Sequence, residues 1–141
     1  MLELSRQECL GLLASHQFGR LAVVMSGGPV IRPVNYLFDE PSQSVVFRTA
    51  PGSKFHALLH AADAAFEIDG IDQSSRAGWS VIIRGVTDQV TNPNEVRRLD
   101  RLGLEPWAPG PKHHWMSIRA WTVAGRRIVL GHESFPGYFL G

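Results

Sequence analysis

The sequence has few of the features that mark secreted, membrane-bound or nucleic-acid-binding proteins. It has one cysteine, Cys9, in 141 residues, which excludes an intramolecular disulfide framework and leads us to expect a cytoplasmic protein. No apolar run is long enough to span a bilayer, and the first residues do not have the basic-then-apolar order of a secretion signal. The formal net charge is only +1, so no broad basic surface for nucleic acid or an anionic membrane is expected.

The composition suits a single domain. With 44% hydrophobic content, a chain of this length can bury a substantial core, so one domain is expected over residues 1–141. Its short C-terminal tail, residues 131–141, is rich in aromatic residues and glycine. This tail is too short to fold alone and is predicted to pack on a neighbouring surface or subunit.

Short β-forming runs make up most of the chain. Seven strands are predicted, at residues 19–25, 30–38, 45–49, 64–69, 79–90, 115–119 and 121–129. A helix is predicted from Arg6 to Ser15 behind a capping box of Ser5 and Glu8, and another is predicted to begin at Pro93 after the Asn92 cap. A parallel sheet would need a crossover helix after nearly every strand, so the pattern favours a small, closed or half-closed antiparallel barrel. Gly85, inside the longest strand, indicates a bulge or sharp bend.

One segment, FRTAPGSKFHALL at residues 47–59, combines cations and hydroxyls without a counter-ion. Its polar members include Arg48, Thr49, Ser53 and Lys54, and no Asp or Glu occurs from residue 43 to residue 62. The pattern predicts a buried strand, a Pro-Gly turn and the start of a short helix, where backbone N–H groups favour a phosphate. Two interpretations stay open: a phosphate site, or a Ser53 helix cap with both cations in solvent.

In chain order, the segments GRLAVV, RPVNYLF, VVFRTAPGSK, AAFEID, GWSVIIRG and AGRRI resemble the pyridoxamine 5'-phosphate oxidase-like family of flavin-binding split barrels. The resemblance spans residues 19–128. It implies a mainly β fold, a six- to seven-stranded antiparallel split barrel with flanking helices, and FMN as the cofactor. It also implies that the phosphate is held by Arg48, Thr49, Ser53 and Lys54, that the flavin ring lies against Pro33, Val34, Asn35 and Tyr36, and that Ser80 makes a polar flavin contact.

The resemblance further implies a homodimer with two FMN sites at the subunit interface. Late aromatic or basic residues of the partner chain close each site in such proteins, and the candidates here are Trp107, Trp121 and Arg126. One motif departs from the family: true B6-vitamer oxidases have a late Arg-x-His that binds the substrate, whereas this chain has Arg126, Arg127 and Ile128. Oxidation of pyridoxamine 5'-phosphate is therefore not expected.

The resulting hypothesis is an FMN-dependent oxidoreductase with a small-molecule substrate and reduced nicotinamide as a candidate electron donor. No catalytic side chain and no metal is assigned, because the flavin itself carries the redox chemistry. Two alternatives use the same barrel: a deazaflavin-dependent reductase, and a non-catalytic carrier of flavin or haem. A haem carrier would need an axial ligand such as His56 or His113.

Three further features have a structural interpretation beside a functional one. His56 and His60 are spaced like two metal ligands, but no third ligand and no HExxH motif accompany them. Glu67 and Asp69 alternate on one strand and so share a face, as residues of a half-solvated barrel strand or as paired carboxylates. Asn35, if buried, needs hydrogen-bond partners, which a flavin edge would supply.

Overall fold

The computed structural model describes residues 1–50, 52–105 and 114–129, without the side chain of Lys54. These residues are mainly β, and their antiparallel strands curl into a half-barrel, which confirms the predicted fold class. The strands are β1 (Leu2–Leu4), β2 (Phe18–Met25), β3 (Gly28–Asn35), β4 (Leu37–Asp39), β5 (Ser44–Thr49), β6 (Asp63–Asp72), β7 (Ala77–Gln89), β8 (His114–Arg119) and β9 (Thr122–Ile128). The helices are α1 (Arg6–Ser15), α2 (Lys54–Leu58) and α3 (Pro93–Asp100). Within these ranges no helix has the length and apolar character to cross a membrane.

The sheet follows the order β3-β2-β6-β7-β8-β5-β4, and β9 pairs with both β7 and β1. Strand β7 is thirteen residues long and serves both parts of the sheet, pairing with β6 and β9 in its first part and with β8 in its last three residues. Strand β1 pairs with β9 in the register Leu2 to Arg127. The beginning of the described chain is therefore joined to the end of its last strand.

Gly85 lies where β7 changes partners. After it, Thr87 is opposite Ile118 of β8. A Cβ atom at position 85 would lie 2.6 Å from the carbonyl oxygen of Arg119 and 3.1 Å from Cγ2 of Ile118. The glycine is therefore needed because the backbone of another strand approaches this point closely.

The described residues contain two more strands than the seven predicted, for identifiable reasons. The three residues of β1 are too few to show a period, and the run predicted at residues 30–38 is divided at Tyr36 into β3 and β4. Tyr36 is fully buried, its backbone N–H donates to the Gln17 carbonyl at 2.9 Å, and its hydroxyl donates to the Leu13 carbonyl at 2.7 Å. These contacts with the segment around α1 take Tyr36 out of the strand ladder.

Two clusters of buried side chains form the core. The larger fills the barrel and includes Tyr36 and Phe66, whose rings meet edge to face at 4.8 Å. The smaller lies under α3 and is built on Trp115, whose Nε1 donates to Asp100 at 2.8 Å. Two hydrogen bonds of 2.7 and 2.9 Å from Arg98 to the buried Asp39 attach α3 to the sheet, and they hold the pKa of Asp39 below its usual value. Helix α3 is thus attached to the sheet through both Trp115 and Asp39.

Candidate functional site

The Nε atom of Arg48 is buried and has no hydrogen-bond partner. Among the side chains that the structure describes, it is the one buried nitrogen or oxygen in this state. Arg48 is opposite Trp115 in the β5–β8 register, and its guanidinium carbon lies 5.2 Å from the centre of the Trp115 ring. Trp115 therefore makes a cation–π contact with the guanidinium, while the Nε–H of Arg48 is left without an acceptor. A charged donor in this state costs on the order of 1–3 kcal/mol or more, so an external anion fits the position.

Strand alternation separates the side chain of Arg48 from that of Thr49. Arg48 faces Trp115, whereas the Thr49 hydroxyl lies 2.7 Å from Nδ1 of His56. The Ser53 hydroxyl donates to the Ala50 carbonyl and accepts from the His56 N–H, both at 3.0 Å. Ser53 is therefore the cap of α2, and both hydroxyls are hydrogen-bonded within the chain.

Helix α2 has only five residues, so its dipole is small and the side-chain charges dominate the electrostatics of residues 48–54, which we call the anion segment. Pro51 and the Lys54 side chain lie outside the described part of the chain. A further cation, Arg32 of β3, lies over Phe55 of α2 at 5.7 Å from its ring centre. Sequence reasoning did not identify Arg32, although a charge inside the apolar run VIRPVN was the available signal.

The four β3 candidates differ in exposure along the strand. Pro33 is exposed, Val34 and Asn35 are half-buried, and Tyr36 is buried, where desolvation raises the pKa of its hydroxyl. The Tyr36 side chain therefore belongs to the core, and a ligand could meet only its backbone. The Asn35 amide donates to the Glu105 carbonyl at 2.7 Å, so this side chain has a partner within the chain.

The remaining candidates lie on another part of the sheet. Ser80 of β7 is opposite Asp69 and Arg126 in its register, and Trp121, between β8 and β9, is 68% exposed. Trp107 lies outside the described residues. Strand β7 is the third strand from β3, a separation of roughly 14 Å at the usual strand spacing. The candidates of one chain therefore form separate groups rather than one closed site.

The outer face of strands β2, β3, β6 and β7 has a large apolar surface. Val24 is 77% exposed and Ile31 is 63% exposed, whereas Val23 and Val30, which precede them, face the core. A groove of about 480 Å³ crosses this face and is lined by Ala22, Val24, Ala65, Val86 and Trp121. Contiguous apolar surface of this kind is typical of a protein interface or a ligand site.

A polar cluster lies within this apolar face. Nη1 of Arg20 lies 3.0 Å from Glu67 and 3.2 Å from Asp69, so the two carboxylates share a face, as predicted. Burial and the adjacent Asp69 raise the pKa of Glu67 to about 7, against the opposing effect of Arg20. Both carboxylates contact one guanidinium instead of flanking a cleft, which favours the structural interpretation of the pair.

Three histidines meet beside α2. The His56 ring stacks on His114 at 4.7 Å and meets His60 edge to face at 5.2 Å. Desolvation lowers the pKa of His56, and His114 and His60 lower it further. Across the described ranges, no group of three or more His, Cys, Asp or Glu side chains is arranged to hold a metal ion. Sequence spacing indicated His56 and His60 but could not indicate the contact with His114.

Comparison with known proteins gives one consistent result. The profile of the pyridoxamine 5'-phosphate oxidase family matches residues 5–127. Rv0080, an uncharacterised protein of Mycobacterium tuberculosis, is 37% identical over 134 residues, which are 92% of this chain and 86% of that protein. The structure of an FAD-binding protein from Mycobacterium smegmatis superposes with a TM-score of 0.77 at 30% identity, covering 92% of this chain and 99% of the other. A putative pyridoxamine 5'-phosphate oxidase from Corynebacterium glutamicum gives 0.76 at 32% identity, covering 92% and 94%.

Proposed function

Because this chain belongs to the pyridoxamine 5'-phosphate oxidase family, we propose that it is an FMN-binding oxidoreductase that acts on a small molecule. The observation that carries the proposal is the buried Nε of Arg48, which has no hydrogen-bond partner. A phosphate beside β5 would accept from this nitrogen and remove the cost of leaving it unpaired. The phosphate of FMN is an anion of this kind.

The anion segment supplies the rest of a phosphate site. The guanidinium of Arg48 is planar and lies over Trp115, and its shape suits two parallel hydrogen bonds to phosphate oxygens. Lys54 adds a second positive charge directly after the Ser53 cap. Thr49 and Ser53 shape the segment through their internal bonds, and the first backbone N–H groups of α2 have no acceptor within the helix. We assign the direct charge contacts to Arg48 and Lys54.

The flavin supplies the hydride or electron chemistry when it is bound, and the residues of this chain bind it, orient it and exclude water. Strand β3 is the last strand at its end of the described sheet, so alternate backbone N–H and C=O groups point away from β2. Pro33 has no N–H to offer, which leaves Val34, Asn35 and the backbone of Tyr36 for a flavin edge. Ser80, Trp121 and Arg126, on the distant part of the outer face, are proposed to complete the site of a second copy.

We favour FMN over FAD on charge. The Mycobacterium smegmatis protein is an FAD-binding protein, and both flavins have a phosphate at the end of the ribityl chain. A terminal phosphate carries about two negative charges near neutral pH, whereas in FAD the same phosphate is bridged and carries about one. Two cations in a segment without carboxylates match the terminal phosphate better.

The cofactor is tested by titrating the protein with flavins. We expect about one FMN per chain and a dissociation constant at least roughly 100-fold lower than that of riboflavin, which lacks the phosphate and its charge-assisted hydrogen bonds. Riboflavin binding as tightly as FMN would contradict the phosphate site. If FAD or a deazaflavin binds more tightly than FMN, that flavin is the cofactor instead of FMN. A Soret band in the purified protein would indicate a haem carrier.

The same FMN-loaded protein tests the reaction. Incubation with pyridoxamine 5'-phosphate and oxygen should give no pyridoxal 5'-phosphate at an enzymatic rate of about 1 per second, because the Arg-x-His motif is missing. The control is flavin reduction by reduced nicotinamide or dithionite, which shows that the bound flavin is redox-active. Turnover of pyridoxamine 5'-phosphate at that rate would mean that other residues, with Arg126 and Arg127 as candidates, replace the motif.

A homodimer is also part of this proposal. Its support is the exposed apolar face and the separation of the candidate residues within one chain. We expect a species of twice the chain mass of 15.6 kDa, with an interface above about 2,000 Å². The substitution Ile82→Glu, on the outer face, should dissociate the dimer and release flavin. Leu102→Glu is the matched control, because Leu102 lies in the turn after α3 and not on the outer face, and Ile82 and Leu102 are 42% and 46% exposed. Sedimentation showing a wild-type monomer that retains FMN would contradict the proposal.

A further inference from the structure

A chain of polar contacts joins α2 to strands β5, β7 and β8 behind the anion segment. Thr49 Oγ1 lies 2.7 Å from Nδ1 of His56, and these residues are only 5% and 9% exposed. The His56 ring stacks on His114 with an angle of 29° between the planes. Nδ1 of His114 lies 2.7 Å from Nε2 of Gln89. The two stacked imidazoles therefore have partners of different chemistry.

Gln89 is the polar partner of His114. An amide nitrogen donates hydrogen bonds and does not accept them, so Nε2 of Gln89 donates to Nδ1 of His114 at 2.7 Å. The partner of His114 is thus a donor only.

The Thr49 hydroxyl can hydrogen-bond to His56 in both its neutral and its protonated form. A hydroxyl has one donor and two acceptor sites. It donates to Nδ1 when His56 is neutral with its proton on Nε2, and it accepts from Nδ1 when His56 is protonated. The buried hydrogen bond is kept in either state, so His56 can change its charge without leaving a polar group unpaired.

The surroundings of His56 keep it neutral until an anion arrives. Desolvation lowers its pKa first, and His114 of β8 and His60 of its own helix lower it further. Thr49 of β5 is uncharged, Arg48 points to the other face of β5, and no carboxylate in the described ranges is among the groups that shift this pKa. The backbone N–H of His56 donates to the Ser53 hydroxyl at 3.0 Å, so His56 lies in the first turn of α2, directly after the anion segment. A negative charge near an imidazole favours its protonated form.

We propose that His56 takes up a proton from solvent when a phosphate dianion binds to the anion segment, while the Thr49 hydroxyl reverses from donor to acceptor. This inference rests on the proposed function and deepens it, since it makes flavin binding proton-linked. His56 touches no ligand atom in this scheme. It is a positioning residue that adds a compensating charge behind the phosphate and holds Thr49 and α2 together in both states.

Calorimetry counts the proton directly. At about pH 7.5 the phosphate of FMN is already a dianion, so the ligand itself exchanges few protons. The wild-type protein should take up roughly half a proton to one proton per FMN, seen as a binding enthalpy that depends on the ionisation enthalpy of the buffer. The ratio of the dissociation constants of FMN and riboflavin should rise with pH, by up to about tenfold per pH unit for one linked proton. Nitrogen NMR of His56 should show Nδ1 protonated in the FMN complex and unprotonated in the free protein.

Two variants and a control test whether the proton is taken up by His56. His56→Asn keeps a hydrogen-bonding group near the position of Nδ1 but cannot ionise, so proton uptake should fall to zero while FMN still binds. Thr49→Val removes the hydroxyl with little change of shape and should reduce the uptake at least about twofold, because the charged His56 loses its acceptor. His60→Asn removes the exposed neighbour and should leave the uptake in place.

The possible outcomes separate this inference from the proposed function. FMN binding without proton uptake, or uptake that persists in His56→Asn, would overturn the role of His56 and leave the cofactor assignment intact. The NMR measurement on the wild type decides the matter if a variant does not fold. Failure of FMN to bind at any pH would overturn both, and binding of riboflavin with the same uptake would show that the proton is linked to the ring and not to the phosphate.

Discussion

Replacing Arg48 and Lys54 together by alanine should weaken FMN binding by about 100- to 1,000-fold and leave riboflavin binding within about threefold. Each charge-assisted hydrogen bond contributes on the order of 1.5–3 kcal/mol, though not additively, and each 1.4 kcal/mol is a factor of about ten. The loss should depend on the phosphate because these side chains are assigned to it alone. Fluorescence titration with both flavins measures the difference.

The control for this experiment is a second pair of cations remote from the anion segment. Arg76 lies in the turn between β6 and β7 and Arg97 on the exposed side of α3, so Arg76→Ala with Arg97→Ala removes the same net charge. This variant should bind FMN like the parent. If both double variants weaken FMN equally, long-range charge and not a local site explains the effect.

The free protein provides a separate check on Arg48. Its Nε is buried without a partner, so Arg48→Met, which keeps most of the packing against Trp115, should not lower the Tm of the flavin-free protein. In the FMN complex the same substitution should lower the Tm, because the ligand then stabilises the variant less. A residue kept for stability alone would show the opposite order, with its largest loss in the free protein.

Substitution of Gly85 by alanine should lower the free energy of unfolding by about 2–4 kcal/mol, one of the largest effects available in this chain. The new methyl group would lie 2.6 Å from the Arg119 carbonyl oxygen, which is part of the backbone and cannot rotate away, so two strands must move apart. Urea denaturation of the parent and the variant gives the difference.

The matched control is the same substitution at Gly11, in the middle of α1. A Cβ atom there would have nothing within 4 Å, so Gly11→Ala should raise the free energy of unfolding by about 0.5–1 kcal/mol through the helix preference of alanine. Opposite signs for one chemical change would show that close approach, and not glycine flexibility, makes position 85 sensitive. Equal losses at both positions would contradict this explanation.

The elements that the sequence predicts well are those specified by neighbouring residues. The Ser5 and Glu8 capping box forms as predicted, with hydrogen bonds of 2.9 and 3.1 Å, and Asn92 caps α3. Both patterns lie within a few residues, where backbone geometry leaves few alternatives. The division of one predicted strand at Tyr36 depends on its contact with Leu13, 23 residues away, and alternation of apolar residues contains no sign of it.

The candidate site likewise has features that the local sequence predicts and features that depend on distant residues. Arg48, Ser53 and the short helix could be located because an acid-free strand, turn and helix follow each other directly in the sequence. The contact of Arg48 with Trp115 and the stacking of His56 on His114 depend on the register of β5 against β8, which pairs residues more than 60 positions apart. Local patterns determine which residues are available to a site, whereas strand register determines which of them meet.

The pairing of β1 with β9 has a consequence for synthesis on the ribosome. Leu2 is opposite Arg127, 125 positions later in the sequence, and β9 also pairs with seven residues of β7. The nascent chain can form local hairpins such as β2–β3 early, but its sheet cannot be completed until residue 128 has left the exit tunnel. The slow step of folding should therefore be the closure of this long loop, since such loop-closing contacts carry the entropy cost that slows β proteins.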